Sequence, residues 1–488
     1  MVDVFDLVIF GGTGDLSRKK LLPALYAGYV AGRISSKSRI FLTSRSAQDA
    51  AMEEWLREVF AATTPACGID AISIREFANM VEVVELGLTE GGEQWETLQA
   101  KLSETKSTSV VHFLAIPPSL FTSTCSLLAE YGLNGTNARV VLEKPLGNNL
   151  ETAQAINADV GKFFGEDQTF RIDHYLGKEA VQNLLALRFS NIMFEELWSA
   201  RTIDHIQITI AEDLGVQGRA GFYEGTGAMR DMVQNHLLQL LCLVAMEPPA
   251  RLDADSIRDE KLKVLKSLRP LEGDLIDRNV VRAQYGAGAM HGEAVKGYAD
   301  DLELEDPSNT ETFVAIKAHI ENWRWAGVPF YLRTGKRLPE RFAEIVIQFK
   351  EVPHSPHPDW KGGINPNRFI IRLQPEDHLA LRMMVKNHGA KSETLREVEM
   401  NLDVMGNSGT RLGPYLRLIL DAVKGDQSLF VHRDEVEHAW RWVDRIINHW
   451  QEKGQAPKSY QAGTWGPYEA HDLMVRDRRE WFHETVGK

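Results

Sequence analysis

"VIFGGTGDLSRKK", residues 8–20, decides the fold of this chain through what stands on either side of it. Upstream, "FDLVIFG" (5–11) is a short, almost wholly apolar run, the pattern of a strand covered on both faces. Downstream, "LSRKKLLPALYAGYVAG" reads as a helix. Gly11, Gly12 and Gly14 therefore fall in a strand-to-helix turn. Glycine permits the tight turn, and a missing side chain lets a pyrophosphate approach the backbone. The helix N-terminus then offers free N–H groups and a positive dipole end. Ser17 takes the place where helix and strand pack closely and where Gly or Ala is usual. A glycine turn needed only for packing is the competing reading of these residues.

The next strand end bears on which dinucleotide the turn would take. "SRIFLTSR" (38–45) reads as a second strand and ends in Thr43, Ser44, Arg45 and Ser46, with no carboxylate before Asp49. A site for NAD usually has an Asp or Glu here to hold the ribose hydroxyls. Arg45 instead suits a 2′-phosphate, which favours NADP. "STSVVHFLAIPP" (107–118) and "ARVVLEKPLG" (138–147) are further strands, separated by helix-like segments such as "AAMEEWLREVFAA" and "SLFTSTCSLLAEYG". Strands alternating with helices imply a parallel sheet covered on both faces.

The second half changes character. "TIDHIQITIAED" (202–213), "ETFVAIKAHIENW" (311–323), "GVPFYLRTGK" (327–336), "AEIVIQFKE" (343–351), "RFIIRLQP" (368–375) and "LALRMMVKN" (379–387) are strand-like with short spacers. Several alternate in and out, as an antiparallel sheet with one wet face does. The fold class expected is α/β joined to α+β: an N-terminal Rossmann-like dinucleotide-binding domain over 1–175 and a C-terminal domain over 176–488 built on a large, mainly antiparallel sheet. "HSPHPDWKGGINP" (354–366) reads as a surface loop whose histidines lack a carboxylate at ligand spacing, so no metal site is expected there.

Bulk properties exclude several classes. A net charge of −13 leaves no surplus of Lys and Arg for general nucleic-acid binding, and any anionic substrate needs a locally basic pocket. No apolar run is long enough to cross a bilayer, and the start "MVDVFDLVIFGG" is too short and acidic for a secretory signal. Cys67, Cys125 and Cys242 are too scattered for a disulfide framework or a zinc site. A reduced, soluble cytoplasmic protein is expected. "RTGKR" (333–337) is not a P-loop, because Phe330 stands where the first Gly is required and Arg337 where Ser or Thr is.

"RIDHYLGKEAV" (171–181) gathers Arg171, Asp173, His174, Tyr175, Lys178 and Glu179 where a strand ends and a helix begins. His174, Tyr175 and Lys178 thus surround a helix N-terminus, where an anion is welcome. A solvated turn with a salt bridge is the alternative. On the helix "GAMRDMVQNHLLQLLCLVAM", His236 falls within an apolar stripe of Met229, Met232, Val233, Leu237, Leu240, Leu241 and Val244. Alone, such a histidine is more often a satisfied core residue than a catalyst. Asp231 and Asn235 on a neighbouring face suit a polar ligand or solvent equally.

"GGTGDLSRKKLLPALY", "EKPLG", "RIDHYLGKE", "GAMRDMVQNHLLQLL" and "WRWAGVPFYLRTGKRLPER" together resemble the glucose-6-phosphate dehydrogenase family, in order and at compatible spacings, from about residue 5 to "YQAGTWGP" near 467. The resemblance implies oxidation of glucose 6-phosphate to 6-phosphoglucono-δ-lactone with NADP⁺ as hydride acceptor. It implies His236 as general base and Asp173 as the carboxylate that orients and charge-stabilises the imidazole. His174, Tyr175 and Lys178 would hold the sugar phosphate with Lys336. Glu212 and Asp231 would bind sugar hydroxyls, and Lys144 would contact both substrate and cofactor. The cofactor set is Gly11, Gly12, Thr13, Gly14, Asp15, Leu16, Arg45 and Lys144, with no metal. A homodimer or homotetramer built through the large sheet is implied as well. Leu146 stands where some members have Phe, away from any catalytic group. Two rivals remain. A dehydrogenase of free sugars shares the "EKP" turn but does not need the phosphate cluster. A non-catalytic NADP sensor would be marked by loss of His236 or Asp173, and both are present.

Overall fold

The computed structural model describes residues 4–45, 52–63, 71–104, 109–216, 220–302, 308–355, 364–387, 394–402 and 413–482. Ser46, Asp49, Cys67 and most of the loop 354–366 lie outside them. The chain forms two compact units. One takes in Met1–Lys178, Pro249–Arg258 and Gly409–Glu437, the other Glu179–Pro248, Asp259–Ser408 and His438–Lys488.

In the first unit, strands β1 (Phe5–Phe10), β2 (Arg39–Ser44), β3 (Val81–Glu85), β4 (Ser109–Leu114), β5 (Ala138–Leu142) and β6 (Thr169–Ile172) pair in the order β3-β2-β1-β4-β5-β6. All are parallel, and Phe430–Val431 adds an antiparallel edge beside β6. Every residue of β1 is buried, as its almost wholly apolar run requires of a strand with helices on both faces, and the one charged member, Asp6, pairs with Arg39 at 2.7 Å. Leu7 and Ile9 face one core with Leu21, Leu22 and Leu25, while Val8 and Phe10 face another with Trp95, Leu98 and Phe121. The order reverses between β1 and β4, so their carboxyl ends open a crevice of the kind where doubly wound sheets bind ligands.

The second unit carries a nine-stranded sheet. In spatial order it runs Leu395–Leu402, His378–Lys386, Arg368–Gln374, Phe342–Phe349, β7 (Ile203–Ala211), Pro329–Gly335, Phe313–His319, Val280–Gly286 and Lys458–Gln461. Neighbours are antiparallel except for two pairs: β7 with Pro329–Gly335, and Val280–Gly286 with Lys458–Gln461.

The expected wet face is confined to the flanks of this sheet. Val280–Gly286 alternates, but Pro329–Gly335 is buried throughout and β7 nearly so. The polar residues of the central strands are covered by the segment 476–482. Gln207 donates to the Glu480 carbonyl (3.0 Å) and accepts from the Phe482 N–H (2.8 Å). Arg479 grips Asp204 with two bonds of 2.8 Å, and Asp477 takes Lys317 (2.6 Å) and the Tyr331 hydroxyl. Arg333, 1% exposed, lies 4.2 Å from the Trp481 ring centroid and 5.3 Å from that of Trp465. Burial pulls its pKa down to about 9, against the opposing pull of Glu344. A desolvated cation over an indole gains about 2 kcal/mol or more, offsetting part of that burial.

Candidate functional site

Every candidate of the first unit lies just past the carboxyl end of a strand. After β1, Gly11 adopts a positive φ of 78°, and a Cβ there would sit 2.5 Å from the Ala115 carbonyl oxygen. A Cβ on Gly12 would meet Leu42 Cα at 2.6 Å. These two glycines let the turn press against its neighbours, and the Gly12 N–H donates to the Thr43 carbonyl at 2.9 Å. Gly14 differs: it is exposed, and a Cβ there would meet only the Gly11 oxygen, at 3.2 Å. That open backbone is where a pyrophosphate has room. Ser17 is buried and donates its hydroxyl to the Gly11 carbonyl (3.1 Å), so the departure from Gly or Ala ties the turn to the helix instead of loosening it. Thr13 reaches Ser44 across the turn (Oγ1 to Oγ, 3.5 Å). Asp15 is exposed with its carboxylate on Lys19 (2.8 Å), which leaves its backbone as the part available to a ligand, and Leu16 packs against the core beneath. Arg45 is exposed immediately beyond β2, where a 2′-phosphate would fall. The turn and the strand end beside it thus fit NADP.

Past β6 the chain makes two tight turns before the helix Glu179–Phe189. Leu176 N–H donates to the Asp173 carbonyl (3.0 Å), and Lys178 N–H to that of Tyr175 (3.1 Å). Asp173 is 2% exposed, and its Oδ1 accepts the Tyr175 N–H at 2.9 Å, which fixes the carboxylate's direction. Lys178 Nζ rides 5.0 Å from the Tyr175 ring centroid. His174 lies parallel to the ring of Tyr415, 6.0 Å between centroids at 10°. Arg171 does not join this group. Its buried guanidinium binds Glu166 (2.6 and 3.1 Å) and Asn157 (3.0 Å), so the salt-bridge reading holds for that member of the segment.

Past β5 come Glu143 and Lys144, the latter joined to Pro145 by a cis peptide. Tyr415 donates its hydroxyl to Glu143 Oε1 (3.0 Å). Burial, reinforced by Asp173, pushes the Glu143 carboxyl up to about 7, with Tyr415 and Lys144 pulling the other way. Glu143 and Tyr415 were not among the sequence candidates. Glu143 adjoins a named lysine, but no sequence signal links it to a tyrosine 272 positions away.

In the second unit, the parallel pairing of β7 with Pro329–Gly335 sets Ala211 beside Gly335. Glu212 and Lys336 follow at the same end of the sheet and form an ion pair of 2.7 Å. Backbone bonds lock both: Glu212 N–H to Gly335 O (3.0 Å), Lys336 N–H to Thr312 O (3.0 Å).

The predicted continuous helix over "GAMRDMVQNHLLQLLCLVAM" is broken at its start. Gly227 has φ 68° and ψ 170°, and a Cβ there would collide with the Glu311 carboxylate at 2.4 Å. Glu311, buried, accepts the Met229 N–H at 2.9 Å, capping the next helical segment with negative charge where the dipole favours it. Met229–Leu237 then winds as a π-helix before α-helical geometry resumes at Leu238–Ala245. Such wide turns recur at functional sites. This one carries Asp231, half-buried, and His236, 1% exposed, whose backbone N–H donates to Asn235 Oδ1 (2.6 Å).

A 3-2-1-4-5-6 parallel sheet with a glycine-rich turn after its first strand defines the dinucleotide-binding class of α/β proteins, here joined to an α+β unit. Residues 8–183 match the glucose-6-phosphate dehydrogenase NAD-binding domain, and residues 185–482 the C-terminal domain of the same enzymes. Glucose-6-phosphate 1-dehydrogenase of Mycolicibacterium smegmatis is 47% identical over 98% of both chains, and that of Rhizobium meliloti 45% over 98% of both. A solved structure of glucose-6-phosphate dehydrogenase in complex with its substrate glucose-6-phosphate superposes with a TM-score of 0.88 at 34% identity, covering 99% of each chain. A crystal structure of the Mycobacterium avium glucose-6-phosphate 1-dehydrogenase does so at 0.82 and 33%, covering 99% of this chain and 100% of that one. The chain belongs to the glucose-6-phosphate dehydrogenase family.

Proposed function

We propose that this protein oxidises D-glucose 6-phosphate to 6-phospho-D-glucono-1,5-lactone with NADP⁺ as hydride acceptor. One observation carries the reading above the others: relatives named glucose-6-phosphate 1-dehydrogenase match 98% of this chain at 45–47% identity. Residues 1–175 serve as the cofactor-binding domain and 176–488 as the substrate and catalytic domain.

Bound NADP⁺ supplies the electrophilic ring that accepts hydride. The chain's own residues do the rest. Hydride leaves the anomeric carbon only as its hydroxyl loses a proton, so a base is required. His236 takes that proton, and Asp173 orients the imidazole and steadies its positive charge, a role for which a carboxylate with one oxygen already fixed by the Tyr175 N–H is suited. His174, Tyr175, Lys178 and Lys336 grip the phosphate, and this remote binding positions the sugar. Glu212 and Asp231 accept from sugar hydroxyls. Lys144 contacts substrate and nicotinamide ends. The backbone of Gly11, Gly12, Thr13, Gly14, Asp15 and Leu16 cradles the pyrophosphate, and Arg45 binds the 2′-phosphate. Work on a soluble sugar phosphate suits a cytoplasmic protein. Among the described residues no helix is long and apolar enough to cross a membrane. We assign a homodimer or homotetramer as the working form.

The test follows absorbance of the reduced nicotinamide with glucose 6-phosphate and NADP⁺, NAD⁺ as alternative acceptor and unphosphorylated glucose as control. Turnover with the sugar phosphate and NADP⁺ alone is expected. Equal turnover of plain glucose would sink the phosphate assignment, and equal use of NAD⁺ would remove Arg45 as a selector.

A further inference from the structure

The nine-stranded sheet of the second unit is lined by tyrosines whose hydroxyls are nearly all engaged by the protein. Tyr285 donates to Asp301 (2.9 Å), Tyr298 to Glu224 (2.6 Å), Tyr331 to Asp477, and Tyr460 bonds Thr312 (3.2 Å) and the Lys336 carbonyl. Tyr223 is the exception. It lies on the helical segment Ala220–Ala228, 3% exposed, within the same apolar cluster and edge-on to Tyr298, 6.2 Å between centroids. Its hydroxyl is fully buried and has no hydrogen-bond partner among the described residues.

An unsatisfied buried hydroxyl is unfavourable, and phenylalanine would fill the same space without it. The ring stands beside the polar end of the sheet. The Lys336 ammonium sits 5.0 Å from the Tyr223 ring centroid while ion-paired to Glu212 at 2.7 Å. Burial, with Asp231, Glu311 and Glu212 adding to it, holds the phenol well above its usual pKa, so the group is a neutral donor. Neutral donors suit the oxygens of a sugar phosphate.

We propose that Tyr223 is a further substrate-site residue: its ring is the platform on which the Lys336 ammonium rests, and its hydroxyl is kept for an oxygen of the bound sugar phosphate. The idea rests on the reading of Lys336 and Glu212 as substrate ligands. Platform and donor are separable, because Phe removes only the second.

The experiment uses the full chain and glucose 6-phosphate at saturating NADP⁺, comparing Tyr223→Phe, Tyr223→Leu, Lys336→Ala and the Tyr223→Leu/Lys336→Ala double variant. Tyr223→Phe is expected to raise KM for glucose 6-phosphate by about three- to tenfold, one neutral hydrogen bond, with kcat within about twofold and the ligand-free Tm equal or higher. Tyr223→Leu should raise KM further than Phe does, and in the Lys336→Ala background that excess over Phe should vanish, because ring and ammonium act as one unit while the hydroxyl's contribution persists. A Tyr223→Phe protein with unchanged KM overturns the donor role, and one that also has a lower Tm gives the hydroxyl a structural role instead. Full additivity of Leu and Ala overturns the platform. If Lys336→Ala leaves KM unmoved, the substrate reading of Lys336 fails and takes the platform with it, while the hydroxyl is still judged by Tyr223→Phe alone.

Discussion

The two sheets of this protein place their candidate groups by the same device, one by rule and one by exception. In the first unit every neighbouring strand from β3 to β6 runs parallel, so the Gly11–Gly14 turn, Arg45, Lys144 and Asp173 all emerge on one side. In the second the sheet is mostly antiparallel, and an antiparallel neighbour sends the next group to the opposite end. The parallel pairing of β7 with Pro329–Gly335 is what brings Glu212 and Lys336 to one end, 2.7 Å apart. Strand direction, more than strand composition, decides which side chains can share a ligand.

The units also differ in what their residues are asked to do, and the largest expected effect tests that. In the function proposed, the second unit supplies the base, so His236→Asn should lower kcat by roughly 10²- to 10⁴-fold while glucose 6-phosphate binding, measured by direct titration, stays within about tenfold. A large loss of binding with turnover preserved would make His236 another ligand and erase the distinction. The phosphate grip proposed for the first unit is the next test. Lys178→Ala should raise KM for glucose 6-phosphate by about 10- to 100-fold, the loss of a charge-assisted contact, with little change in kcat. An unchanged KM moves the phosphate elsewhere. Smaller again, Arg45→Ala should weaken NADP⁺ about tenfold and leave NAD⁺ nearly unaffected, read by cofactor titration. Equal losses for both would remove the 2′-phosphate from that strand end.

The smallest effect is one of stability and concerns Glu143. Folding raises this carboxyl from its ordinary 4.5 to about 7, so between those values the folded chain keeps a proton that the unfolded chain releases. Stability attached to this group is therefore full at the acid end, falls as pH rises through the window and is lost above about 7. Glu143→Gln removes the ionisation but keeps an acceptor for Tyr415. Its Tm should match the parent near pH 4.5 and exceed it by a few degrees at pH 8, measured by scanning calorimetry. A gap that does not widen with pH would mean that the carboxyl ionises normally, with Lys144 and Tyr415 outweighing burial and Asp173.

Local patterns foretold the local structure. The apolar run 5–11, the glycine turn and the alternation of strands and helices announced the parallel sheet, and the strand-like runs from 202 to 387 announced the larger one. Long-range partnerships had no such trace. Nothing in "GPYLRLIL" says that Tyr415 will meet Glu143, and nothing in "RDRREWF" says that it will bury Gln207 and Arg333. The helix around His236 was legible as amphipathic, but not the break at Gly227 or the π winding of 229–237. Glu311, which crowds Gly227 and accepts the Met229 N–H at that break, comes from 82 positions away.

By itself, then, the sequence determined the element types, the glycine-rich turn, and the family with its candidate residues, because periodicity, glycine placement and short motifs act over a few residues and are written locally. The tertiary structure alone decided that β7 lies parallel to Pro329–Gly335, that the polar face of the central strands is dry, that Arg171 serves Glu166 and Asn157, and that the Tyr223 hydroxyl is left without a protein partner among the described residues. Those outcomes depend on which distant segments share a dielectric environment and a hydrogen bond, and chain order does not encode that distance.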